Sequence, residues 1–161
     1  MGPSANVKNV ELLRRLETIL KEFAANVESV LGAADMEIRR TQEELDRRLG
    51  QWKRMVEKRG EELLQAKAAL SYARSLNKGS NVGCVEQELE VNKAKKRLIE
   101  AEEKVELVKR WQRQLPEFVK EFEAPARCLS GFTEGELRQA IAHLQSRIAA
   151  LEAYINTAPP S

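Results

Sequence analysis

Apolar residues recur every three or four positions in four segments of the chain, a spacing that predicts four amphipathic α-helices. The first segment covers about residues 7–31, and its predicted stripe is Leu13, Leu16, Leu20, Phe23, Val27 and Val30, widened by Leu12 and Ile19. Gly32 predicts a left-handed cap at the end of this helix, and Asp35 predicts the N-cap of the next. The pair Ala33 and Ala34 would equally allow one continuous helix.

Two longer segments follow, over about residues 34–76 and 82–122. The stripe of the second segment is Ile38, Leu45, Leu49, Trp52, Val56, Leu63, Leu70 and Ala73. The stripe of the third is Val91, Ala94, Leu98, Ala101, Val105, Val108 and Leu115, with Gln112 as an interruption. Proline lacks a backbone donor, so Pro116 is expected to kink the third helix or open a short new one, and Pro125 to end it.

The fourth segment begins with a capping-box pattern, in which Thr133 and Glu136 would satisfy each other's exposed backbone donors. Its stripe is Leu137, Ile141, Leu144, Ile148, Leu151 and Ile155. This spacing predicts a helix from Thr133 to about residue 155.

The predicted architecture is all-α, in a single helical domain. The second and third helices, joined by a short turn, are expected to form a long antiparallel coiled-coil hairpin whose facing residue numbers sum to about 162. Its arm is about residues 58–104, with the tip at 77–84. At the base, about residues 7–57 and 105–156, the shorter N- and C-terminal helices are expected to cover a wide apolar face and complete a four-helix bundle. That face includes Leu107, Trp111 and Phe118.

One polar layer is expected to fix the register of this hairpin. Arg59 falls on the predicted seam, and Glu102 and Glu103 lie within reach of it in the antiparallel register. An arginine whose stem packs while its head stays in water is an equal alternative.

Composition supports long helices and gives little sign of a strongly charged partner. The chain has 161 residues, of which 42% are hydrophobic, 32% charged and only 5% aromatic, and its formal net charge is +2. No apolar run reaches the length of a membrane span, and the first thirty residues carry charges throughout. We therefore expect a soluble, cytoplasmic protein without a signal peptide, while export without a cleaved signal stays open.

The tip segment contains Gly79 and Gly83, which superficially suggest a phosphate-binding loop. A nucleotide-binding loop needs glycines one residue further apart, a lysine after the second and a strand before the first. None of these conditions is met, so the glycines indicate a turn between helices. The exposed tip residues Lys78, Asn81 and Val82 are the candidate partner-binding residues.

No constellation in the sequence predicts catalysis, a metal or a cofactor. Cys84, Cys128 and the single histidine, His143, cannot supply a four-ligand zinc site. The two cysteines would lie far apart in the predicted fold, which excludes an intramolecular disulfide. Paired glutamates alternate with lysine and arginine at helical spacing, which is typical of a solvated helix surface.

The sequence therefore predicts a non-enzymatic helical interaction protein: an adaptor, chaperone-like or structural component that contacts other proteins through its arm and base. A symmetric homodimer is a further way to cover the apolar stripes. The alternative is a nucleic-acid-binding arm, since basic groups cluster on the second and third helices. These groups are Arg39-Arg40, Arg47-Arg48, Lys53-Arg54, Lys58-Arg59 and Lys93-Lys95-Lys96-Arg97. Membrane-surface binding is not expected.

Overall fold

The computed structural model describes residues 7–76 and 84–157, and every one of them except Cys84 is helical. The elements are α1 (Val7–Leu76), α2 (Val85–Phe132), a π-helical turn (Thr133–Leu137) and α3 (Arg138–Thr157). No strand occurs in these two ranges. The all-α prediction is confirmed.

The predicted break at Gly32 is wrong, because α1 is a single helix of 70 residues. Gly32 lies within it, with an ordinary rather than a left-handed backbone. The reason is visible in the burial pattern, since the less exposed positions keep a spacing of three and four residues straight through this region. They are Val10, Leu13, Glu17, Leu20, Ala24, Val27, Leu31, Ala34, Ile38 and Thr41. A packed face that continues on both sides of one internal glycine stabilises a helix more than that glycine weakens it.

The same pattern corrects the face predicted for the first segment. Leu13, Leu20 and Val27 lie on the packed side of α1 as predicted. Leu16, Phe23 and Val30 do not, and they are 45%, 44% and 66% exposed. The packed positions beside them are Glu17, Ala24 and Leu31, so α1 carries two apolar faces in this region, only one of which is packed.

Helix α2 runs through both Pro116 and Pro125, so the predicted end at Pro125 is wrong. Both prolines are exposed and lie beside the packed face rather than on it. Half-buried residues continue at regular spacing on either side of them: Gln112, Leu115, Val119, Phe122 and Ala126. This continuous packing holds the helical path although each proline removes one backbone hydrogen bond.

The predicted helix start at Thr133 is also wrong, since the backbone is helical on both sides of it. The Thr133 hydroxyl donates a hydrogen bond to the Ser130 carbonyl oxygen, one turn earlier, at 2.9 Å. A π-helical turn accommodates one extra residue in an α-helix. The packed positions of α2 follow one seven-residue frame up to Thr133, and those from Leu137 onward follow the same frame displaced by one residue. The π-helical turn absorbs this displacement, and the stripe predicted from Leu137 to Ile155 is confirmed as the less exposed side of the helix.

The expectation of four separate helices is therefore replaced by two uninterrupted helical stretches in the described residues. Three residues of the wide apolar face that the shorter helices were expected to cover are exposed: Leu107, Trp111 and Phe118, at 40%, 49% and 55%. The chain divides into two compact units. Unit 1 is Met1–Glu37 with Val119–Ser161, and unit 2 is Ile38–Phe118.

Candidate functional site

The predicted partner-binding tip falls outside the described residues, so Lys78, Asn81 and Val82 stay a prediction. The description resumes at Cys84, which is buried. Its carbonyl oxygen accepts a hydrogen bond from the Glu88 amide at 2.9 Å, the first bond of α2.

The structure pairs Arg59 with a different carboxylate from those predicted. Its guanidinium donates to Glu62, three residues along the same helix, at 2.6 Å. Glu102 and Glu103 are exposed, and neither joins Arg59 in an ion pair within the described ranges. The role of this layer in setting the register stays a prediction.

Unit 2 contains two polar contacts between its helices that the sequence reasoning did not pair. Gln112 Nε2 donates to Asp46 Oδ1 at 2.7 Å. Arg74 forms an ion pair with Glu88 at 2.8 Å. The residue numbers of the two contacts sum to 158 and 162, close to the register predicted from the apolar stripes. The interruption of the stripe at Gln112 was the signal for the first contact.

Unit 1 holds its own pair of polar contacts between helices. Glu17 occupies a packed position of α1, where its carboxylate accepts hydrogen bonds from Lys21 at 2.5 Å and from Gln145 at 2.7 Å. These two donors hold the pKa of Glu17 below its ordinary value of 4.5, although partial burial acts in the opposite direction. Arg14 donates to Glu152 at 2.7 Å. Glu17 is not predictable from the apolar pattern, because Leu16 beside it is the residue that the pattern predicts to be packed.

A cleft of about 420 Å³ lies beside the π-helical turn in unit 1. It is lined by Lys21, Ala24, Val27, Glu28 and Leu31 of α1, and by Ser130, Thr133, Glu134, Arg138 and Ile141. Its polar groups largely satisfy one another, since Ser130 donates to Glu134 at 2.9 Å and Thr133 bonds to the backbone. This cleft offers no pair of groups arranged for acid–base or nucleophilic chemistry.

The exposed apolar face of α1 in unit 1 is here called the α1 stripe, and it consists of Leu12, Leu16, Ile19, Phe23 and Val30. Their exposed fractions range from 44% for Phe23 to 66% for Val30. The first four are spaced by four, three and four residues, which aligns them on one side of the helix. Exposed apolar residues in a continuous row mark an interaction surface more often than isolated ones do.

Unit 2 carries a groove of about 580 Å³ on the surface of α1. It is lined by Glu44, Arg47, Arg48, Gln51, Trp52, Arg54, Met55 and Lys58. Glu44 accepts hydrogen bonds from Arg48 and Arg47, and these arginines hold the pKa of Glu44 below its ordinary value of 4.5. Arg54 and Lys58 form no ion pair in the part of the chain that the structure describes. The groove is therefore strongly cationic.

No group of three or more histidine, cysteine, aspartate or glutamate side chains able to hold a metal occurs in residues 7–76 and 84–157. His143 and Cys128 are exposed, and Cys128 is not bonded to Cys84. No described helix has an apolar stretch long enough to cross a membrane.

Comparison with protein-family models, with curated proteins and with solved structures finds no match to this chain.

Proposed function

We propose that this chain is a non-enzymatic helical interaction protein, an adaptor, chaperone-like or structural component that works through protein–protein contacts. Its rigid part is an antiparallel coiled-coil hairpin, in which the end of α1 and the start of α2 form a projecting arm. The bonds between Asp46 and Gln112 and between Arg74 and Glu88 support this arrangement, because they join the two helices at two levels of unit 2.

The observation that carries the proposal is the α1 stripe. A helix normally buries its apolar face against another element, and α1 already has one packed face beside this one. The side chains of the second face are leucine, isoleucine, phenylalanine and valine, which can form neither hydrogen bonds nor ion pairs. Burying it against a partner helix would remove its apolar area from water, and each Å² buried would stabilise the contact by about 25 cal/mol.

The occupant that fits the stripe first is a second copy of this chain. The spacing of four, three and four residues reads the same in both directions. In a symmetric antiparallel contact, Leu12 would therefore face Phe23 of the second copy, and Leu16 would face Ile19. Such a contact is self-complementary and needs no additional partner to complete it.

Sedimentation equilibrium of the full-length chain tests this function. We expect the wild type to dimerise reversibly and the variant Leu16→Glu/Ile19→Glu to be monomeric, because two carboxylates would lie in the buried centre of the contact. The matched control is Leu64→Glu/Tyr72→Glu, which introduces the same charges at two positions that are each 67% exposed and lie outside the stripe. A monomeric wild type, or equal dimerisation of all three proteins, would contradict the proposed contact.

A further inference from the structure

Positive charge is concentrated on one part of unit 2. Residues 47–59 and 104–113, here called the basic belt, contain 10 basic and 2 acidic residues among 23. Their net charge of +8 contrasts with +2 for the whole chain. The total charge alone would suggest no anionic partner, whereas this local excess of positive charge does.

The two stretches of the belt lie side by side. At one end, the hydrogen bond between Gln112 and Asp46 joins the helices. Beyond the other end, the ion pair between Arg74 and Glu88 joins the same two helices. The belt starts at the first contact, extends toward the second and is about 20 Å long at 1.5 Å per residue.

Six of its cations are in no ion pair in the described part of the chain: Lys53, Arg54, Lys58, Lys104, Arg110 and Arg113. The remaining four share three glutamates. Arg47 and Arg48 both bind Glu44, Arg59 binds Glu62 and Lys109 binds Glu106. Clustered cations that outnumber the carboxylates near them repel one another, and a polyanion would relieve that repulsion.

Aromatic side chains accompany the charge. Trp52 lines the cationic groove of α1, and Trp111 on α2 is 49% exposed. Residues a multiple of seven apart lie on the same side of a packed helix pair, so Lys53 and Lys109 share the side on which Arg74 pairs with Glu88. Met55 and Trp111 each come two residues later and therefore lie on the other side of the helix pair, where the groove and Trp111 open together.

We propose that the basic belt binds single-stranded nucleic acid, with phosphates along Arg54, Lys58 and their neighbours and a base stacked on Trp111. This combination of a cationic track and an accessible aromatic ring is what single strands require, because their bases are free to stack. A duplex keeps its bases inside and would leave Trp111 without a role. A lipid surface is flat, whereas several of these cations line a concave groove.

The test is fluorescence anisotropy of a labelled oligothymidylate with the full-length protein over a range of salt concentrations. We expect binding that weakens linearly in log affinity against log salt. The variant Arg54→Gln/Lys58→Gln should reduce the magnitude of this slope by about 1.4, at about 0.7 per cation, and weaken binding by about tenfold at low salt. Circular dichroism should show unchanged helicity, because neither residue is in an ion pair.

The matched control is Lys95→Gln/Lys96→Gln, which removes the same charge from α2 of the same unit, outside the belt. These two lysines also form no ion pair within residues 7–76 and 84–157. We expect the affinity of this control variant for the oligothymidylate to stay within about twofold of that of the wild type. An equal loss in both double variants would overturn the assignment to the belt.

A further variant, Trp111→Leu, separates stacking from charge. Stacking on an aromatic ring contributes about 1–3 kcal/mol per base, so we expect binding to weaken about tenfold with the salt slope unchanged. Oligonucleotide should quench the tryptophan fluorescence of the wild type much more than that of the variant.

Three outcomes would overturn the proposal: no binding of the oligothymidylate at low salt, an unchanged affinity in the Arg54→Gln/Lys58→Gln variant, or binding only to duplex DNA or only to phosphatidylserine-containing vesicles. The belt shares no residue with the α1 stripe, so this proposal and the dimer contact fail independently.

Discussion

Gln112 and Asp46 are 66 residues apart in the chain, and their side chains are joined by a hydrogen bond of 2.7 Å within unit 2. On α1 the packed positions change their seven-residue frame at this level, since Thr41, Leu45 and Leu49 are half-buried at two successive spacings of four residues, where a constant frame alternates three and four. Such a change locally alters the winding of two packed helices. Gln112 interrupts the apolar stripe of α2 at the same level and pairs with the adjacent aspartate.

This bond should show measurable coupling. We expect Gln112→Ala and Asp46→Ala each to lower the free energy of unfolding, and the double variant to lower it by about 1 kcal/mol less than the sum of the two. Urea unfolding of the four proteins gives the coupling. Gln114→Ala, an exposed neighbour, should change stability by less than about 0.5 kcal/mol. Strict additivity of the two substitutions would show that the bond contributes nothing in solution.

Replacement of Gly32 tests whether α1 is continuous. A Cβ added at this position meets nothing within 4 Å, and the backbone is not left-handed. Gly32→Ala should therefore raise the free energy of unfolding by about 0.5–1 kcal/mol, from the better helix propensity of alanine. The reverse change at the exposed neighbour, Ala33→Gly, should lower it by a similar amount. If Gly32 ended the helix with a left-handed residue, alanine would destabilise the protein instead.

The sequence was sufficient for the helical class and for most of the packed positions, because apolar residues at a spacing of three and four mark one side of a helix, and in most of the chain that side is the packed one. The stripes from Val91 to Leu115 and from Leu137 to Ile155 were predicted in this way. It was insufficient for helix ends. Gly32 and Pro125 are local signals for the end of a helix. Each destabilises the helix by less than the packing that continues on both sides of it stabilises it.

The two proposed binding surfaces, the basic belt and the α1 stripe, could be predicted only in part from the sequence. The basic pairs are visible in the sequence. Their concentration on the side of Trp111 depends on which segments of α1 and α2 lie side by side. The exposed α1 stripe was read as core, because five apolar residues at helical spacing look the same whether or not a partner covers them. Only the burial of Val10, Glu17 and Ala24 shows which face is packed.

Acid should destabilise the protein through its glutamates. Five of them have a pKa below the ordinary value of 4.5, each through a hydrogen bond to a basic side chain: Glu17, Glu44, Glu62, Glu90 and Glu106. A carboxylate whose pKa is lower in the folded chain stabilises that state above the unfolded pKa. The contribution is lost as the pH falls from about 4.5 through the folded pKa. We therefore expect the urea midpoint to be constant near neutral pH and to fall below about pH 5.

The urea midpoint of the Glu44→Gln variant should fall less in acid than that of the wild type, because glutamine does not take up a proton. Glu43→Gln is the control, since Glu43 is exposed and forms no ion pair in the described ranges. Equal acid sensitivity of the two variants would contradict the role assigned to the Glu44 carboxylate.

The π-helical turn predicts an unusual tolerance to deletion. The turn absorbs one residue that displaces the packed frame between Thr133 and Leu137, so removing Gly135 should allow a regular α-helix with a continuous packed face. We expect this deletion to leave the free energy of unfolding within about 1 kcal/mol of the wild type. Deletion of Ser146, an exposed residue of α3, should be far more costly. It would move Ile148, Leu151 and Ile155 off the packed side, at a loss of about 3 kcal/mol or more. Urea unfolding measures both, and an equal loss in the two deletions would show that the turn does not compensate for a surplus residue.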